Sequence, residues 1–115
     1  MKKKYSLSKK EIIRSKESFE RILKNGKRFA RGHLKVFVRS GSKRRIGFTV
    51  SSKAGKAVVR NKIKRWLREI YRKEKYVLND NVEIIMLVDG FDNKMNYNTL
   101  KEVILDIFRE INENI

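Results

Sequence analysis

A chain of 115 residues with 30 Lys and Arg against 13 Asp and Glu carries a formal net charge of +17, and 40% of its residues are hydrophobic. That length and balance support one core and one domain over residues 1–115, and they point to a polyanion partner rather than to a membrane or an acidic small substrate. The absence of cysteine removes disulfide frameworks and thiolate metal sites, and no apolar run approaches the ~20 residues of a membrane span.

The N-terminal MKKKYSLSKKEII has the positive start of a signal peptide but lacks an apolar stretch of about 7–15 residues, so a cytoplasmic protein is expected. Residues 1–10 read as a basic, flexible arm. The first helix has two candidate starts, a capping box of Ser8 with Glu11 and a plain N-cap at Ser15, and is placed over roughly residues 15–25. Phe19, Ile22 and Leu23 supply its apolar face, and Gly26 is the expected stop.

From residue 27 to 52 the period changes to two. Leu34, Val36 and Val38 share one strand face and Lys35, Phe37 and Arg39 the other. Gly41-Ser42 reads as a turn into a second strand, where Ile46, Phe48 and Val50 alternate with Arg45, Gly47, Thr49 and Ser51, so the two strands are expected to pair as a hairpin. An aromatic among cations can stack a base while its neighbours hold phosphates. The strand pattern equally fits a Phe37 buried beneath a helix.

The run KAGKAVVRNKIKRWLREIYR over residues 53–72 predicts a helix near residues 56–76. At 100° per residue, Val59, Ile63, Trp66, Leu67 and Ile70 form a core-facing stripe. Arg60, Asn61, Lys64, Arg65, Arg68 and Arg72 gather on the other side, with only Glu69 and Glu74 to offset them. Like charges held this closely cost stability, and a nucleic-acid partner that removes that cost is the economical explanation. The charge is confined: residues 1–75 hold 27 Lys and Arg against 5 Asp and Glu, whereas residues 76–115 hold 3 against 8.

VEIIMLV at residues 82–88 is apolar nearly throughout, as expected of a central strand covered on both faces. A loop follows. The last helix is capped by Asn98 or by a Thr99–Glu102 box, with Leu100, Val103, Ile104, Ile107, Phe108 and Ile111 on its apolar face. Its outer face carries Glu102, Asp106, Glu110 and Glu113 and should stay away from RNA.

Motifs for protein-borne chemistry are lacking. His33 is the only histidine and sits at a strand start, which suits a surface or RNA contact. Asp89 and Asp92 without a third ligand are read as loop residues. GKAVVRNK is not a phosphate-binding loop, because Val50 stands where the first glycine belongs. RRIGFTVSS lacks the glycine and the terminal aromatic of the RNA recognition motif.

VSSKAGKAVVRNKIKRWLRE resembles the signature of the bacterial ribonuclease P protein component, whose motif is known as RNR. Gly47, Val50-Ser51, Lys53, Gly55, Ala57-Val58, Arg60-Asn61, Lys64-Arg65, Arg68 and Glu69 fall at family spacing, and the similarity spans about residues 12–112. The resemblance implies an α/β two-layer sandwich in the order αβββαβα, with three helices and a four-stranded sheet. A left-handed βαβ crossover, against the usual preference, would carry the basic helix. It implies a subunit of an endoribonuclease whose partners are a catalytic RNA and precursor tRNA. That RNA and its Mg²⁺ remove the 5′ leader by hydrolysis, with no catalytic side chain and no metal ligand from the protein.

Carried over residue by residue, the resemblance assigns Lys53, Arg60, Asn61, Lys64, Arg65 and Arg68 to the catalytic RNA. Phe19, Leu23, Lys35, Phe37 and Arg39 are assigned to a cleft for the leader. Three positions depart from the family pattern. Lys62 replaces the second arginine of the triplet and loses its bidentate fork, Ser52 stands where lysine is common, and Leu23 replaces a cleft aromatic. A ribosomal or RNA-chaperone protein is the alternative from another class, and a stand-alone nuclease built on Asp89 and Asp92 is a third.

Overall fold

The computed structural model describes residues 9–79 and 81–114. After a 3-10 turn at Lys9–Glu11 come α1 (Lys16–Asn25), β1 (Lys27–Arg31), β2 (Leu34–Ser40) and β3 (Arg45–Val50). A second 3-10 turn at Ser52–Ala54 leads into α2 (Ala57–Glu74), a third follows at Lys75–Val77, and β4 (Val82–Val88) and α3 (Tyr97–Asn114) complete the order. No helix among the described residues is long and apolar enough to cross a membrane. The rest of the arm expected over residues 1–10, and Ser8 with it, lies outside the described residues.

Of the two starts offered for α1, the helix takes Ser15, whose Oγ accepts from the Ser18 amide at 3.4 Å. Gly26 ends the helix, but not by turning left-handed, since its φ is −76°. Its missing side chain is needed for close approach: a Cβ would lie 2.5 Å from the Ile22 carbonyl oxygen and 3.0 Å from that of Val38. The chain can therefore pass directly from α1 into β1.

The sheet order is β1-β2-β4-β3. β1 and β2 form the antiparallel hairpin, turning through Gly32 at φ +56°, and β2 pairs antiparallel with β4. β3 runs parallel to β4, with Ile46 opposite Ile84. The hairpin expected between the strands at Leu34 and Arg45 is thus absent: β4 lies between them. β4 is apolar on both sides, and only a central position buries both; β2 and β3 each have a polar side and flank it. The Gly41-Ser42 segment crosses the end of β4, where the Gly41 amide donates to the Asn81 carbonyl at 3.1 Å and Asn81 Nδ2 donates to the Ser42 carbonyl at 3.1 Å.

The alternation along the strands separates two apolar clusters. Leu34, Val36, Val38, Ile46, Ile84, Met86 and Val88 meet Ile63, Leu67, Ile70 and Tyr71 of α2 and Leu100, Ile104, Ile107, Phe108 and Ile111 of α3. On the opposite sheet face, Ile85 packs with Ile13 and Ile22, flanked by the half-buried Phe19, Leu23 and Phe37. Truncating a fully buried residue of the larger cluster such as Leu67 to alanine costs about 2–5 kcal/mol. Tyr71 extends the α2 stripe beyond the positions expected, while Val59 and Trp66 sit half-buried at its margin.

Two local details position the functional surfaces. Gly55, at φ +128°, turns the chain from β3 into α2 in a conformation that favours glycine. At the far end of α2, Lys75 is only 2% exposed, and its Nζ reaches Glu11 Oε1 at 2.6 Å while the Tyr71 hydroxyl donates to Glu11 Oε2 at 3.2 Å. Burial, with the Glu11 carboxylate beside it, pushes the Tyr71 phenol well above its usual range. These bonds anchor the segment before α1, which also lays Ile12 and Ile13 along β3, the Ile13 amide donating to the Ile46 carbonyl at 2.8 Å. The otherwise open edge of β3 is covered there.

α3 (Tyr97–Asn114) begins two to three residues earlier than expected. Asn96 Oδ1 accepts from the Thr99 amide at 3.0 Å and Thr99 Oγ1 accepts from the Asn96 amide at 2.9 Å. This is a reciprocal capping box with threonine in the place of glutamate, and it displaces Asn98 and Thr99 as candidate caps.

Candidate nucleic-acid interface

α2 presents its cations on the side turned away from the core. Lys53, Asn61, Lys62, Lys64, Arg65 and Arg68 are exposed, and Arg60 is half-buried with its Nε donating to the Gly55 carbonyl at 3.1 Å. Among the described residues none of Lys53, Arg60, Lys64, Arg65 and Arg68 pairs with a carboxylate. From Arg60 to Arg68 the row runs about 12 Å along the axis. The Lys56 cap makes no side-chain bond and the first turn holds no acid, so the open amides add to the positive end of the helix.

Arg72, expected on the same face, is neutralised. Its guanidinium grips Glu69, with Nη2 at 2.5 Å and Nε at 3.2 Å, and Lys73 lies 3.4 Å from the same carboxylate. Those bonds hold Glu69 below the usual carboxylate range and raise the Arg72 guanidinium above its own. The uncompensated face therefore ends at Arg68. Lys62, the departure from the family triplet, lies 5.3 Å from the centre of the Trp66 ring, a cation–π contact that draws its ammonium toward the margin of the core.

The other surface lies on the sheet face that α1 crosses. Phe19 rests over Gly47 of β3, where a Cβ would come within 2.7 Å of its ring, and Ile22 covers Ile85 of β4. Phe37 and Leu23 lean on the same cluster and keep part of their surface. Three of the expected cleft residues are thus brought together as one aromatic and aliphatic platform, with Phe37 both packed and accessible.

The two expected cleft cations diverge. Lys35 donates to Asp89 Oδ2 at 2.7 Å and to the Gly32 carbonyl at 2.8 Å, and the bond to Asp89 is the main reason that carboxyl is held below the usual range. His33 adds to the cluster, its Nδ1 3.4 Å from Asp89 and its Nε2 3.6 Å from Asp92. Arg39 lies four residues along β2, about 13 Å away, in a separate basic cavity of about 630 Å³ beside α1. Sequence reasoning did not find that cavity, whose other cations are Lys10, Arg21, Lys43 and Arg45. They come from separate elements, and only the fold assembles them.

The loop aspartates do not fit a divalent cation. Asp89 is occupied by Lys35, and Asp92 Oδ1 accepts from the Lys94 amide at 2.9 Å. Among the described residues no three His, Cys, Asp or Glu side chains converge to hold a metal ion. The acidic side of α3 is occupied from within, since Arg31 of β1 pairs with both Asp106 and Glu110.

Comparison with known proteins agrees on one family. The family model described as Ribonuclease P matches residues 7–112. The ribonuclease P protein component of Dictyoglomus turgidum is 38% identical over 110 residues, covering 92% of each chain. That of Thermotoga maritima is 32% identical over 113 residues, covering 92% of this chain and 96% of its own. Among solved structures, the RNase P protein of Staphylococcus aureus superposes with a TM-score of 0.75 at 29% identity, over 88% of this chain and 94% of that one. The Thermotoga maritima protein gives 0.74 at 30% identity, over 87% and 96%.

Proposed function

The chain belongs to the bacterial ribonuclease P protein family, and from that premise we propose how its surfaces divide the work of a ribonucleoprotein subunit. Known members bind the catalytic RNA and assist removal of the 5′ leader from precursor tRNA, with the chemistry carried by RNA and Mg²⁺. In this chain the exposed face formed by Lys53, Arg60, Asn61, Lys64, Arg65 and Arg68 grips the catalytic RNA. The platform of Phe19, Leu23 and Phe37, with Lys35 at one end and Arg39 at the other, takes the leader. Mg²⁺ is held mainly by the RNA, and no step passes through a protein-bound metal.

The observation that carries this division is the contrast within α2. Cations up to Arg68 stand without a carboxylate, whereas Arg72 and Lys73, one turn later, share Glu69. A helix that neutralises itself where it can, and leaves a continuous row open elsewhere, is built to have that row neutralised by a polyanion. Phosphate contacts position the protein, and the aromatic platform beside a single strand discriminates by stacking.

The test is reconstitution of the protein with its cognate catalytic RNA at limiting Mg²⁺. Stimulated cleavage of precursor tRNA is expected. No stimulation would sink the assignment, and cleavage by the protein without RNA would require an active site in its own side chains.

A further inference from the structure

Lys75, in the turn that follows α2, is the one buried charged side chain among the described residues. Its Nζ lies 2.6 Å from Glu11 Oε1, and the Tyr71 hydroxyl donates to Glu11 Oε2 at 3.2 Å, so both carboxylate oxygens are engaged at the C-terminal end of α2. An ion pair at such a position adds little net stability, because desolvation offsets the attraction, but it holds its two ends at one distance.

The two ends lead to opposite sides of the sheet. Tyr71 packs in the cluster beneath α2 and α3, whereas Ile13, two residues after Glu11, is buried in the cluster beneath α1 with Ile22 and Ile85. Between them the chain wraps the outer edge of β3, where Ile12 bridges Ile46 and the Ile13 amide donates to the Ile46 carbonyl at 2.8 Å. Ser15, the cap of α1, follows at once, and its carbonyl accepts from the Phe19 amide at 3.0 Å. Phe19 then rests on Gly47, the neighbour of Ile46, with no room for a Cβ between them. A segment before a first helix frays unless it is tied down. Here a displacement of Ile13 passes through two residues to the start of α1, and so to the Phe19 ring.

We propose that Glu11 is a positioning residue for precursor selection: its tie to Lys75 and Tyr71 sets where α1 starts and thereby holds Phe19 over Gly47 in the platform, without Glu11 touching RNA. The inference rests on the assignment of that platform to the leader. It makes the platform depend on bonds made across the sheet edge, at the end of the helix whose outward face is assigned to the catalytic RNA.

The experiment compares wild type with Glu11→Gln, which keeps the shape and removes the charge, and with Glu17→Gln, which removes the same charge from an exposed position of α1. Two quantities are read: hydrogen exchange of the Ile13 amide in the protein alone, which reports undocking of the segment, and holoenzyme affinity for leader-bearing precursor against mature tRNA. Glu11→Gln should quicken Ile13 exchange roughly tenfold or more, as loss of one charged hydrogen bond would. It should lower precursor affinity roughly tenfold, as loss of one stacked base would, and leave affinity for mature tRNA at the wild-type level. Glu17→Gln should change neither quantity. Tyr71→Phe, which keeps the buried ring and removes one of the two bonds, should give a smaller loss in the same direction, and it carries the test if Glu11→Gln melts below the assay temperature.

Faster exchange at Ile13 with the precursor preference intact would overturn the positioning role and leave the platform standing. Unchanged exchange would show that the tie does not hold the segment, and an equal loss for mature tRNA would reduce Glu11 to a structural residue; either result overturns the inference. The same loss from Glu17→Gln would do so too, by making charge alone the cause. A wild-type holoenzyme with no precursor preference would overturn the platform itself, and the positioning role with it.

Discussion

The outward face of α2 and the sheet face under α1 are both basic, yet they hold their charge in different ways. Along α2 and the turn before it, the cations Lys53, Arg60, Lys64, Arg65 and Arg68 stand without carboxylate partners, on a helix clamped by Ile63, Leu67, Ile70 and Tyr71. On the sheet, Lys35 is held by Asp89 and Arg45 lies near Glu83, around an aromatic platform. The first arrangement gives affinity without selectivity, because any phosphate row satisfies it. The second makes a ligand compete with a built-in carboxylate and rewards it with stacking. On the proposed assignment, one chain thus separates holding a partner from choosing a substrate.

The largest effect should come from the α2 face. Replacing Arg65 and Arg68 together with alanine removes charged hydrogen bonds of about 1.5–3 kcal/mol each, so affinity for the catalytic RNA should fall by about a hundredfold or more. The salt dependence should become shallower by about 0.7–0.9 for each phosphate no longer neutralised. Arg72→Ala, which breaks only an exposed pair with Glu69, should change either quantity little. Filter binding across a salt series checks this. Equal effects of the two replacements would mean that pairing state does not distinguish the two ends of the helix.

Next in size is Phe37→Ala. Loss of one stacked base is worth about 1–3 kcal/mol, and the loss should fall on leader-bearing precursor and spare mature tRNA. Phe37 also packs on Ile13, Ile22 and Ile85, so an equal loss for both RNAs with a lowered melting temperature would reduce it to a core residue. Gly47→Ala should act in the same direction, several-fold at most. Its new Cβ would come within 2.7 Å of the Phe19 ring, which can tilt aside. Precursor preference unchanged by that tilt would show that Phe19 does not contribute to the platform.

Features governed by local chemistry were legible in the sequence: the Ser15 cap, the α2 stripe through Ile63, Leu67 and Ile70, the two-sided apolarity of β4, and the spacing of the basic run. Adjacency was not. Gly41-Ser42 has the composition of a hairpin turn, but composition does not show that β4 displaces β3 from β2. The Arg72–Glu69 pair was readable from its i,i+3 spacing, whereas Lys35 and Asp89 meet only because β2 and β4 align Leu34 with Val88. The Asn96 cap escaped because threonine replaces the usual acid of the box. The basic cavity has no sequence signature at all, since its residues run from Lys10 to Glu83.

The smallest expected effect is also the one of opposite sign. Asp89 keeps Lys35 engaged at 2.7 Å, so Asp89→Asn should free an ammonium beside the leader platform and remove a charge that repels phosphate. Precursor affinity should rise a few-fold, with the salt slope steeper by about 0.7 for one additional phosphate held. The pH dependence follows from the direction of the shift. Because the Asp89 carboxyl titrates below its ordinary value of 3.8, the pair with Lys35 is intact above that value and is lost only as the pH falls through the lower folded-state value. Near neutrality the clamp is therefore fully set, and protons do not release it. The gain from Asp89→Asn should accordingly be flat from about pH 6 to 8, as the ordinary carboxylate range requires. A gain that varied across that window would mean that the Asp89 carboxylate is not what controls Lys35. Affinity that fell on substitution would mean that Asp89 positions Lys35 for the leader instead of withholding it.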